Sequence, residues 1–145
     1  MIGLADFEGR WSLTRRIDDR RAGQEATFDG TAVFAPDGTG LTLTETGWLQ
    51  PATGPRLQGS RRYLWREGIE VFFEDGRPFH RFTPAAPAAL HDCPPDTYRV
   101  TYDFTRWPRW TATWEVTGPR KDYTMVSAYA PTSSVMTFED RSSVR

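Results

Sequence analysis

Few side chains in this sequence are able to do chemistry, and most of them fall in phase with one another. Around Trp11 the in-phase residues are Leu13, Arg15 and Ile17. Leu41, Leu43, Glu45 and Gly47 share a second run, and Arg61, Tyr63 and Trp65 a third. His80 goes with Phe82. Later runs carry Tyr98, Tyr102 and Trp114, then Tyr123, Met125, Ser127 and Tyr129. If Trp11 points inward, Arg15, Glu45, Arg61, Tyr63, His80, Tyr98, Tyr102 and Tyr123 are the candidate ligand-binding residues. A charge taken out of water needs a partner, so these groups must pair, hold water or meet a ligand. Two arginines against one glutamate leave one positive charge over, before His80 is counted. A guanidinium offers a fork of donors matched to carboxylate or phosphate, so the surplus suits an anion. An inward Arg–Glu pair is equally the mark of a structural bridge. One β-bulge would reverse the phase beyond it.

The remaining nucleophiles and metal ligands are sparse. His80, His91 and the single cysteine, Cys93, lack the tight spacing of a zinc site. Nothing around Cys93 in the sequence would depress a thiol pKa. His80 is expected to join a hydrogen-bond network or to meet a backbone carbonyl. No Gly-rich phosphate loop, Ser-His-Asp order or carboxylate-rich cluster is present, so neither a metal nor a cofactor is expected.

The elements that must position these groups are strands, because the dominant period is two. In Tyr98-Arg99-Val100-Thr101-Tyr102-Asp103-Phe104 the apolar and polar residues alternate, as they do through Trp110, Ala112, Trp114 and Val116. Runs of this kind lie at about 9–18, 25–35, 40–49, 57–67, 69–74, 78–83, 98–105, 109–117 and 121–129. Between them stand turn signals such as Pro36-Asp37-Gly38, Asp75-Gly76 and Thr117-Gly118-Pro119. Residues 2–8 predict a short helical turn that lids one barrel end. Trp107-Pro108-Arg109-Trp110 reads as a turn whose aromatics staple a hairpin. The Pro/Ala-rich stretch 84–95 reads as a loop. For the tail 131–145, an edge strand at 135–139 and a wrapped extension are both open.

The chain has 145 residues, 38% hydrophobic, 26% charged and 14% aromatic, which predicts one globular all-β domain over 1–145. Short strands at this spacing predict a single antiparallel up-and-down barrel of about 8–10 strands. The net charge is -1 and no basic stripe occurs, so nucleic acid is not an expected partner. No stretch approaches the roughly 18 apolar residues of a membrane helix. One cysteine and no apolar leader predict a cytoplasmic protein.

Gly9-Arg10-Trp11, opening the first strand run, resembles the GxW signature of lipocalins and related calycins. In those barrels the tryptophan plugs the closed end, and a basic residue of the last strand covers its indole through a cation–π contact. The resemblance therefore implies barrel closure by Gly9, Trp11 and Arg120, or Lys121 in its place. The wider chain is similar to a bacterial lipocalin-like family with no assigned activity. That similarity is carried by Gly9-Arg10-Trp11, Asp75-Gly76-Arg77-Pro78-Phe79-His80, His91-Asp92-Cys93 with Asp96 and Tyr98, and Gly118-Pro119-Arg120-Lys121-Asp122-Tyr123. It implies a barrel over residues 7–129 and brings no chemistry with it.

Three functions of different kinds fit these residues. The barrel could bind a small, partly apolar, anionic molecule, its charge held by Arg15 or Arg61 with a tyrosine. It could be a cofactor-independent enzyme similar to phenolic-acid decarboxylases, with Glu45 moving a proton, Arg61 holding a carboxylate and Tyr63 or Tyr102 a phenol. It could also be a structural or interaction module, its core filled by six Trp, nine Phe and five Tyr. The cavity and the pairing of Arg15, Glu45 and Arg61 separate these readings. Ligand identity and oligomeric state are not legible in the sequence.

Overall fold

A computed structural model describes residues 2–132. Among them, a 3-10 turn at Leu4–Phe7 leads into ten strands. These are β1 (Gly9–Asp19), β2 (Gln24–Pro36), β3 (Gly40–Pro51), β4 (Leu57–Arg66), β5 (Glu70–Phe73), β6 (Pro78–Arg81), β7 (Ala88–Cys93), β8 (Asp96–Arg106), β9 (Arg109–Gly118) and β10 (Lys121–Pro131). All pairings are antiparallel, in the order β6-β5-β4-β3-β2-β1-β10-β9-β8-β7. Pairing of β1 with β10 wraps the sheet into a nearly closed barrel, the expected fold, whose free edges are β6 and β7. Aromatic side chains fill that seam. Phe82, just after β6, stacks on Tyr102 of β8 at 3.8 Å between ring centroids, and Phe79 lies 5.3 Å from His91 of β7. No helix among the described residues is long and apolar enough to cross a membrane.

The alternation that predicts the strands also fills the barrel. Along β1 the burial pattern turns every second residue, Trp11, Leu13 and Arg15, to the interior. The same holds for Leu41, Leu43 and Glu45 on β3 and for Met125, Ser127 and Tyr129 on β10. A register shift between Val71 and Phe72 adds a residue to β6, so consecutive Phe79 and His80 are both buried.

The stretch 84–95, expected as a loop, contains β7, which pairs with β8 from Ala88↔Thr101 to Cys93↔Asp96. Pro84, Pro87, Pro94 and Pro95 frame this strand instead of interrupting it, which is where a missing N–H does least harm. The tail alternatives for 135–139 lie outside the described residues.

One end of the barrel is sealed by rings. Phe7 of the 3-10 turn is fully buried, with Trp65, Trp107 and Trp110 at 5.2, 5.2 and 5.3 Å. Trp11 donates its indole N–H to the Phe7 carbonyl at 2.8 Å, tying the turn to β1. Among the described residues, the opposite end, where β1 finishes and β10 begins, holds a pocket and is the open one.

Candidate functional site

Three strands bring the central polar layer together. Arg15 on β1, Glu45 on β3, and Ser127 and Tyr129 on β10 all project inward, and Arg15 and Glu45 are only 7% and 2% exposed. Arg15 donates to Glu45 Oε1 at 2.8 Å and to Ser127 Oγ at 2.7 Å. Tyr129 donates its hydroxyl to the other Glu45 oxygen at 2.5 Å. Burial opposes the Arg15 charge, but the Tyr129 and Glu45 oxygens outweigh it and its pKa is raised. Burial, then Glu45, pushes Tyr129 well above the usual phenol range, so it stays a donor. The unit is a paired ionic layer with both carboxylate oxygens engaged.

Below that layer the interior is almost full. The remaining cavity is about 20 Å³, room for roughly one water. It is bordered by Arg15, Glu45, Tyr63, His80, Tyr102 and aromatic residues including Trp65 and Trp110. His80 Nε2 lies 2.7 Å from the Tyr102 hydroxyl. Burial, with His91 adding to it, lowers the His80 pKa to about 3, so the imidazole is neutral. His80 Nδ1 and the indole nitrogens of Trp65 and Trp110 are buried without a partner among the described residues.

Above the layer the barrel is hollow. A pocket of about 220 Å³ is lined by Arg15, Ile17, Phe28, Glu45, Leu49, Gly59, Ser60 and Arg61. Its floor is the Arg15–Glu45 pair, which also borders the small cavity beneath. Arg61 stands opposite Glu45 in the β3–β4 register. Glu45 is taken by Arg15 and Tyr129, and Arg61 forms no salt bridge among the described residues. Its guanidinium lies 3.5 Å from the Tyr63 hydroxyl and 6.0 Å from the centre of the Trp114 ring. Burial raises the Tyr63 pKa against the opposing pull of Arg61. Burial likewise raises that of Tyr123, whose surroundings include Tyr98, Arg61 and Lys121.

The eight candidate residues therefore separate into three pairs and two single tyrosines. Arg15 and Glu45 pair with each other, and His80 meets Tyr102. Arg61 lines the open-end pocket and reaches down to the hydroxyl of Tyr63, which borders the small cavity beneath the layer. Tyr98 accepts from Lys121 at 3.0 Å, and Lys121 also pairs with Asp96 at 3.1 Å. These bonds raise the Lys121 pKa. Tyr123 lies half-buried near both Arg61 and Lys121.

One expected role is corrected. Arg120 does not cover Trp11, because Trp11 is opposite Pro131 at the far end of β10, while Arg120 immediately precedes Lys121. At about 3.3 Å per residue this is roughly 35 Å along the strand. Lys121 is excluded by the same geometry. Trp107 and Trp110 pack on the Trp11 ring instead, at 5.6 and 5.9 Å. The closure is aromatic, with no cation needed.

Sequence reasoning had no role for Tyr129 and Ser127 beyond facing inward, nor for the pocket walls Phe28, Leu49 and Gly59. Side-chain parity is blind to which inward groups meet across the barrel. A glycine inside a strand run, such as Gly59, is the one signal that was available.

No curated protein sequence matches this chain. The fold is similar to that of the S-type phycobiliprotein lyase CPES from Guillardia theta, with a TM-score of 0.58 and 8% identity over 98% of this chain and 95% of that one. At that identity the likeness establishes a lipocalin-like barrel and no activity. The model of the family of unknown function DUF6314 matches residues 7–131, and the chain belongs to that family.

Proposed function

We propose that the barrel binds a small, partly apolar anion at its open end, with the charge on Arg61 and the apolar body against Ile17, Phe28 and Leu49. The observation that carries this reading is a cation beside a hollow, with no carboxylate partner among the described residues. Every buried charge in the layer below is matched, whereas Arg61 is exposed, beside a hydroxyl, at the rim of the pocket of about 220 Å³. A guanidinium and a phenol together supply donors suited to a carboxylate. Arg15, the other candidate anchor, is engaged by Glu45 and serves as floor.

The test is a panel of small organic acids, read by native mass spectrometry and by tryptophan fluorescence. Trp114, 6.0 Å from the Arg61 guanidinium, is the expected reporter. Saturable one-to-one binding that weakens about tenfold or more in Arg61→Gln is expected, the scale of a lost charge-assisted hydrogen bond. Absence of binding across the panel, or equal affinity in the variant, would refute the reading.

A further inference from the structure

The anion-binding reading leaves the shape of the occupant open, and a row of glycines bears on it. Gly30 of β2, Gly47 of β3 and Gly59 of β4 are register partners across three strands, Gly30↔Gly47 and Gly47↔Gly59. A glycine inside a strand forgoes packing and has an entropic cost, so it marks either a close backbone approach or room left for something else. Two of the three have a backbone reason. A Cβ on Gly30 would run into the Thr46 carbonyl oxygen, and one on Gly47 into the Asp29 carbonyl oxygen.

Gly59 has no such reason. A Cβ there meets only Phe28 Cε2, at 3.4 Å, an ordinary side-chain contact. Nor does its φ lie in the left-handed region that favours glycine. What the missing side chain does leave is space, because Gly59 lines the open-end pocket with Phe28.

Depth and breadth of that pocket then differ. Downward it stops at the Arg15–Glu45 pair, beneath which lies a cavity of about 20 Å³. Sideways it is widened by bare backbone at Gly59. Its volume of about 220 Å³ falls below the roughly 300–1,000 Å³ of pockets for drug-sized ligands. A long alkyl chain needs depth this barrel lacks. A single flat ring fits, with one face on the glycine backbone and an edge or face toward Phe28.

We infer that Gly59 is a specificity-determining position, and that the occupant is a monocyclic aromatic acid in place of a long-chain one. This rests on the anion site at Arg61.

The experiment compares wild type, Gly59→Ala and Gly59→Val as full chains. Benzoate and phenylacetate are titrated against hexanoate and decanoate, with thermal unfolding measured in parallel. Wild type is expected to prefer the ring acids. Gly59→Ala is expected to keep or raise the unfolding midpoint while weakening benzoate binding. Gly59→Val is expected to weaken it about tenfold or more, the scale of a pocket intolerant of added methyl groups. Should Gly59→Val misfold, Gly59→Ala carries the test, because its single methyl meets only the Phe28 edge. If the alkyl acids bind through Arg61 and the ring acids do not, this inference falls and the anion site stands. It falls equally if benzoate binds both Gly59 variants as tightly as wild type, or if Gly59→Ala lowers the unfolding midpoint. If none of the four acids binds wild type, both readings fall.

Discussion

The two ends of this barrel are built on opposite principles. At the closed end Phe7, Trp11, Trp65, Trp107 and Trp110 contact one another, and the polar layer above them pairs Arg15 with Glu45. At the open end a cation stands without a carboxylate among the described residues, a glycine replaces a side chain, and a pocket remains. Packing and pairing stabilise the first region, while the second forgoes both. Such local departures from good packing, in a chain otherwise well packed, are where function is expected.

The sharpest way to test that contrast is to break the layer that divides the two ends. Glu45→Leu leaves the Arg15 charge buried and unpaired, and is expected to cost about 3–5 kcal/mol in urea unfolding. Adding Arg15→Met should recover most of that loss, because an apolar pair of similar volume needs no partner. A cost below about 1 kcal/mol for the single variant would mean that the layer is not a closed electrostatic unit.

The next effect is on pH dependence and belongs to the closed side. His80 has its pKa lowered from 6.5 to about 3 by burial and then by His91. The unfolded chain therefore binds the extra proton between those values. Stability is complete above about pH 6.5 and is lost as the pH falls toward 3. Between pH 7 and pH 5 the expected loss is about 2 kcal/mol, and His80→Gln should flatten it. Parallel pH profiles for the two proteins would show that His80 is not the group responsible.

The smallest effect on stability belongs to the open end. Arg61→Gln is expected to shift unfolding by no more than about 0.5 kcal/mol, the range of a surface change, while acting on anion affinity as proposed. A destabilisation like that of Glu45→Leu would make Arg61 a structural residue and erase the distinction between the ends.

How much of this was legible beforehand depends on range. Alternation within a strand is local, so the inward faces of Trp11, Leu13, Arg15, Leu43, Glu45 and Tyr129 were readable from phase alone. The surplus of arginine over glutamate was readable by counting. Which arginine is surplus was not, because Arg15 meets Glu45 through a contact between β1 and β3 while Arg61 is the register neighbour that Glu45 does not bond. β7 was missed because its flanking prolines resemble a loop when its partner strand is out of view. Arg120 was misplaced because proximity in a familiar motif stood in for distance along β10.

The amino-acid order by itself determined that this chain forms strands, that their apolar faces enclose aromatic rings, and that a few charges are carried inward with them. These follow from a period of two and from the cost of exposing so much apolar surface. The tertiary structure alone decided which charges cancel and which end stays open. Ion pairing and residual volume depend on side chains that lie far apart in sequence and meet only after the barrel wraps, and there Arg15 found Glu45 while Arg61, among the described residues, found no carboxylate.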